Sequence, residues 1–205
     1  MATLTPQATA LLVVHLQHDI VSPHTAFGAL FNPQAVERQV VSRCAQAMSL
    51  VRSAGGLVVP LRIVFKDDYS DLDPSLPLLQ MVEQAGCLKE SDPGSQIVAE
   101  AGVDERDLVV THQRPGPFSG TDLHQQLQDR GIRNVVVCGV ATNASVEGAV
   151  RQAADLGYDT FVLADASSAA APAAHEASLE SMGLFARQLS VAQLGEAITP
   201  SDASP

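Results

Sequence analysis

Four stretches of the chain lack the polar–apolar alternation of a half-buried strand. They are ALLVVHL (10–16), GLVVPLRIVF (56–65), DLVVTH (107–112) and NVVVCGV (134–140), and DTFVLADA (159–166) follows them. Short, unbroken, β-branched runs of this kind suit strands covered on both faces, the condition of a parallel sheet. Between the runs, apolar residues recur at steps of three and four. Over 33–54, Val36, Val40, Cys44, Ala47, Met48 and Val51 fall on one face. That spacing predicts a single helix, opened by Asn32 and Pro33 and closed by Gly55-Gly56. Further helices are predicted over 121–130, 144–157 and 172–187, the last leading into a strand-like QLSV. Strands alternating with helices imply right-handed βαβ units. The expected fold is therefore a three-layer α/β sandwich, Rossmann-like, with a central, mostly parallel sheet of about five or six strands and helices on both faces. Neither a repeat nor a linker interrupts the pattern, so one domain is expected over 10–195, with an N-terminal extension (1–9) and a disordered tail (196–205).

Composition narrows the function classes. Hydrophobic residues make up 46% of the 205 positions and charged residues 17%, which supports a packed core. Trp is absent and aromatics reach only 4%, so Val, Leu and Ala must fill that core. A formal charge of −11 argues against a nucleic-acid partner, which calls for a basic face. No apolar run approaches the length of a membrane span, and MATLTPQATA lacks the basic and apolar regions of a signal peptide. Cys44, Cys87 and Cys138 are odd in number and lack metal-type spacing, so they are expected as reduced, buried thiols in a cytoplasmic protein.

In open parallel sheets, ligands bind beyond the carboxyl ends of the strands. His15, Gln17, His18 and Asp19 follow the first run, and His112, Gln113 and Arg114 follow the third. The fourth leads into GVATNASVEG, which places Ser145 in the first turn of the next helix. Each has an ordinary structural role open to it, the serine as a cap and Asp19 as a turn residue. Together, two imidazoles and a hydroxyl near a helix N-terminus could form a nucleophile–base pair, with backbone N–H groups for an oxyanion.

Three segments resemble the isochorismatase-like family, which includes cysteine amidohydrolases. LLVVHLQHDI resembles its Asp-x-Gln-x-Asp strand end. VVTHQRPGPFSGTDLHQQLQDRGI resembles its Lys segment with Phe-x-Gly-Thr, and the segment from Asn134 resembles its Gly-Val-x-Thr-x-x-Cys-Val turn. The resemblance covers residues 10–190 and implies that the family's catalytic Asp, Lys and Cys fall on His15, His112 and Ser145, all three replaced. It further implies a cis peptide between Val140 and Ala141, an oxyanion hole formed by the Ala141 and Ser145 amides, and Phe118 as a flat apolar wall of the substrate pocket. Gln17 is a further substrate-binding candidate, and Arg114, if it faces inward, would hold a substrate carboxylate by a bidentate pair; otherwise it is solvated or meets a neighbouring subunit. Homodimers or homotetramers are usual in the family. Its zinc-binding members use an Asp-x-His-type cluster, whereas VFKDDYSDLDP here carries Asp67, Asp68, Asp71 and Asp73 without histidine. No cofactor or metal is therefore expected, although His15, His18, Asp19 and His112 would suit a divalent ion.

Three functions follow from this substituted set. In the first, Ser145 attacks a small amide, ester or carbamoyl group with His15 or His112 as base. In the second, an imidazolium acts as general acid in vinyl-ether-type hydrolysis. In the third, the chain is a pseudoenzyme with a binding or assembly role.

Overall fold

A computed structural model describes residues 3–198 of the chain. Its sheet has six strands: β1 (Thr9–Val14), β2 (Leu57–Ile63), β3 (Val110–His112), β4 (Asn134–Val140), β5 (Asp159–Ser168) and β6 (Arg187–Leu189). They lie in the order β3-β2-β1-β4-β5-β6, and every neighbouring pair is parallel. This is the three-layer α/β architecture expected. The helices are α1 (His18–Val21), α2 (Gly28–Glu37), α3 (Val40–Ala54), α4 (Pro77–Ala85), α5 (Leu123–Asp129), α6 (Glu147–Asp155), α7 (Pro172–Met182) and α8 (Val191–Ala197).

The continuous apolar runs divide their residues between two cores. Leu11, Val13, Val136 and Cys138 face α3 and α8, whereas Ala10, Leu12, Val135 and Val137 face α5 and α6. Both sets are buried, which explains why alternation is missing from the sequence. The chain builds outward from β1 to β3, then returns to lay β4 beside β1. That reversal opens a crevice at the C-terminal ends of β1 and β4, the usual ligand position in such sheets.

The expected helix over 33–54 is two helices. Gln39 adopts left-handed geometry, with φ of 55°, between α2 and α3. The preceding Arg38 turns toward the sheet and donates to the carbonyls of Ser167 and Ala164, both at 2.9 Å. Pro33 lies inside α2, Asn32 donates to the Val21 carbonyl instead of capping, and Val36 is 65% exposed. The apolar face of α3 is as expected, with Val40, Cys44, Ala47, Met48 and Val51 buried.

The folded body also extends past 10–195. Leu4 is buried and bridges to Ile198, and its N–H donates to the Ala197 carbonyl at 2.9 Å. Within the expected tail, Glu196 and Ala197 belong to α8, while 199–205 lie outside the described residues, as do the first two residues of the expected extension. Among the described residues, no helix is long and apolar enough to cross a membrane.

Candidate active site

His15 follows the last residue of β1 and takes left-handed geometry, with φ of 52°. For a residue bearing a Cβ this costs about 1–2 kcal/mol, so the surroundings must hold it. They do so through the backbone. The His15 N–H donates to the Leu61 carbonyl at 3.1 Å, and Gly139 of β4 lies against Val14. A Cβ on Gly139 would stand 2.2 Å from the Val14 carbonyl oxygen, so only glycine allows the two strand ends to approach this closely.

His112 ends β3 and is fully buried. Its Nε2 stands 3.0 Å from His15 Nε2, and the two rings stack at 24° with centroids 5.0 Å apart. The Nδ1 of His112 lies 2.6 Å from the Arg114 carbonyl, which can only accept. This assigns the proton on His112 to Nδ1 and leaves its Nε2 as acceptor. His15 must then donate through Nε2, which frees its own Nδ1 as a basic nitrogen. Among the described residues, nothing hydrogen-bonds that atom. Burial lowers both imidazoles below their ordinary value. His15 falls well below it, helped by the neighbouring His112, and His112 is pushed down to about 4 against the opposing effect of its carbonyl partner. Both rings are therefore neutral near pH 7.

Ser145 sits on the turn after β4. The Val140–Ala141 peptide is cis, where the resemblance places it. Thr142–Val146 then form a single π-helical turn, closed by a 3.1 Å bond from the Val146 N–H to the Ala141 carbonyl. Such turns interrupt the regular helical ladder and recur at functional sites. The turn is held from behind by α7, whose His175 Nδ1 lies 2.8 Å from Thr142 Oγ1. The Ala141 N–H donates to nothing among the described residues. Ser145 is 5% exposed, and its hydroxyl is likewise unpartnered among them. No hydrogen bond joins Ser145 Oγ to either imidazole: the two Nε2 atoms engage each other, and His15 Nδ1 has no partner among the described residues.

His15, Ala141 and Ser145 nevertheless line one cavity of about 60 Å³, enclosed elsewhere by apolar side chains from α2, α4 and the strand ends. His112 lies behind His15 and does not reach the cavity wall. The structure thus brings together the three residues expected to carry chemistry, in a linear order rather than around one point.

The three residues expected to bind substrate are placed elsewhere. Gln17 is fully buried, and its amide is consumed by the fold: it donates to the carbonyls of Ile63 and Ser95 and accepts from the Ile63 N–H. Arg114 pairs with Asp73 at 2.6 Å. Phe118 packs with Tyr158 on the opposite core, ring centroids 6.1 Å apart. Asp19 accepts from the Leu88 N–H at 2.8 Å and orients neither imidazole, while His18 bonds Ser22. Among the described residues, no group of three or more His, Cys, Asp or Glu is gathered to hold a metal ion.

The cavity walls were missed from sequence. Leu78, Leu79 and Val82 come from α4, and Phe27 and Phe31 from the start of α2. The signal for α4 was present: PLLQMVEQAG has Pro at the first helical position, apolar residues three apart and Gly86 at the C-terminus in left-handed geometry.

Comparison with known proteins now has a geometry to explain. The Isochorismatase domain family matches residues 9–193, nearly the whole described chain. This chain belongs to the isochorismatase family. An isochorismatase family protein of Bacillus subtilis (strain 168), YwoC, is 34% identical over 84% of each chain. The ureidoacrylate amidohydrolase RutB of Klebsiella variicola (strain At-22) is 31% identical over 89% of this chain and 83% of its own. In fold, the chain is similar to a cysteine hydrolase from Pseudomonas syringae pv. phaseolicola 1448A, with a TM-score of 0.87, 24% identity and coverage of 97% and 95%. The family match and the fold similarity agree with the six-stranded parallel sheet; the chemistry depends on this chain's own side chains.

Proposed function

We propose that this isochorismatase family member is a hydrolase of small acyl compounds, in which Ser145 is the nucleophile and His15 the base. The observation that carries the proposal is the direction of the imidazole pair. With His112 fixed by the Arg114 carbonyl and accepting from His15, the free basic nitrogen belongs to His15, which shares a cavity with Ser145. His112 has both nitrogens engaged and acts through His15, steadying the charge that His15 gains, as a positioning residue. Relatives with hydrolase names, RutB among them, support C–N cleavage as the first chemistry to test.

The steps balance. Bound substrate, or a water beside it, connects Ser145 Oγ to His15 Nδ1, bridging the gap seen in the free protein. The oxygen attacks the acyl carbon as its proton passes to Nδ1, and the oxyanion meets the unpartnered Ala141 N–H with the Ser145 N–H beside it. The bond to the leaving amine or alcohol breaks as Nδ1 returns the proton. Water, deprotonated by the same nitrogen, then splits the acyl–serine ester, releasing the acid and restoring Ser145.

Vinyl-ether hydrolysis by an imidazolium is less well supported, because both rings lose their charge well below pH 7. A fluorophosphonate probe tests the nucleophile directly. Mass spectrometry should find one adduct on Ser145, and Ser145→Ala should abolish both labelling and turnover of short-chain amides and esters at an unchanged melting temperature. Undiminished turnover in the variant would remove Ser145 from the mechanism.

A further inference from the structure

Among the described residues, no charged side chain lines the cavity that holds His15 and Ser145. Its wall is built from Ile20, Phe27, Phe31, Leu79, Val82 and Leu88, and of the described residues only His15 and Ser145 bring polar side chains to it. Each wall residue is apolar, and His15 is held neutral by burial. Arg62, next to the lining residue Ile63, donates to Thr111 Oγ1 at 2.8 Å, and Arg114 is paired with Asp73 at 2.6 Å. Lys89 lies over the Tyr69 ring, 5.0 Å from its centroid. The chain as a whole carries −11. An anionic substrate would therefore approach against the long-range field, and a carboxylate away from the Ala141 and Ser145 amides would lose its hydration without meeting a cation.

Granting the hydrolase reading of the same site, we infer that the substrate is a small, uncharged amide or ester with a short branched aliphatic acyl group and no carboxylate. The acyl chain lies between α2 and α4, and the carbonyl lies at Ala141 and Ser145. The cavity is small, about 60 Å³, which favours a short acyl group. The same lining aids turnover, because the product is a carboxylic acid that ionises on release. A carboxylate meets only the two backbone amides in this cavity and no cation, which favours release of the product. Leu78 sits at the rim, 36% exposed, where a long cationic side chain could reach the cavity with its stem on apolar surface.

The test is a pair of ligands of equal size. 4-Methylpentanamide and succinamate have the same number of non-hydrogen atoms, but two methyl groups of one are a carboxylate's oxygens in the other. Calorimetric titration of the full chain and of Ser145→Ala should show the neutral amide binding at least about tenfold more tightly, and 4-methylpentanoate binding weakly. Leu78→Arg should narrow or reverse the preference, with its fold checked by circular dichroism. Equal or tighter binding of succinamate by the unaltered protein overturns the inference, as does failure of both to bind at millimolar concentration. The hydrolase reading fails separately. Tight binding of the neutral amide, without turnover of it or of the matching p-nitrophenyl ester, removes the chemistry and supports the ligand class.

Discussion

Two buried histidine sites flank the Ser145 turn, and they differ in what they face. On one side His15 and His112 bond each other, and His15, its Nδ1 unpartnered among the described residues, lines a cavity. On the other, His175 of α7 bonds Thr142, and Ser178 lies 2.6 Å from Glu147 Oε2 and 3.1 Å from the Thr142 carbonyl. Glu147 also pairs with Arg151 at 2.8 Å. Burial lowers His175 to about 4, with Arg38 adding to the effect, much as burial lowers His112. Yet His175 Nε2 is buried without a partner among the described residues, and His175 does not line the cavity shared by His15 and Ser145. A depressed imidazole is therefore not by itself a sign of chemistry. Access to a cavity beside an unpartnered nucleophile distinguishes the first site, and attachment to the backbone turn defines the second.

The largest expected difference comes from removing each imidazole. His15→Ala should lower kcat by about 10²–10⁴-fold, the usual worth of a positioned base, beside a stability loss of about 2–3 kcal/mol from the cavity and the stranded His112 Nε2. His175→Ala should leave turnover within a few-fold at 25 °C but cost about 2–3 kcal/mol of stability, through the cavity created and the Thr142 hydroxyl left unpaired. Kinetics beside thermal melts check both. The comparison breaks if His175→Ala loses turnover while melting normally, because α7 would then be part of the chemistry.

Acidification should separate the sites next. Catalysis needs neutral His15, so kcat/KM should be flat through neutrality and fall about tenfold per pH unit only on an acid limb well below 6.5. An unperturbed imidazole would place that limb near 6.5. Stability moves in the same direction for a different reason. His15, His112 and His175 all have folded values below the unfolded one, so the unfolded chain takes up protons first as the pH falls. Their contribution is complete above about 6.5; for His112 and His175 it is lost towards about 4, worth on the order of 3 kcal/mol for His112, and for His15 it is lost well below 6.5. In His175→Ala the acid limb of the rate should stay in place while the acid loss of stability shrinks. A limb that moved with His175 would tie the two sites together.

Most of the architecture and the three strand-end residues were legible because both depend on local pattern. β-branched runs report strands buried on two faces, and the parallel sheet then delivers His15, His112 and Ser145 to one edge. What escaped is tertiary. No spacing in 33–54 reveals that Arg38 prefers the β5 carbonyls and breaks the helix at Gln39. Gln17 reads as a polar residue at a strand end, but its amide knits β1 to Ile63 and Ser95. The imidazole pairing was also out of reach, since 97 residues separate its members and only strand register brings them to 3.0 Å.

The smallest effect expected is at Ser178, and it tests how tightly α7 holds the turn. One hydroxyl proton serves two acceptors, and the Glu147 carboxylate, being charged and closer, takes it most of the time. Burial raises the Glu147 carboxyl, yet the bonds from Ser178 and Arg151 outweigh that and hold it below its ordinary value. Ser178→Ala leaves Glu147 with Arg151 and Ser181, so the carboxylate is not stranded. The loss should be about 1 kcal/mol, a melting shift of about 2–4 °C for a chain of this size, with kcat/KM nearly unchanged. Ser178→Thr, which keeps the hydroxyl, should recover part of the loss. A tenfold fall in kcat at a normal melting temperature would show instead that small displacements of Thr142 reach Ser145, and that the Ser145 turn is positioned from α7 rather than by its own backbone.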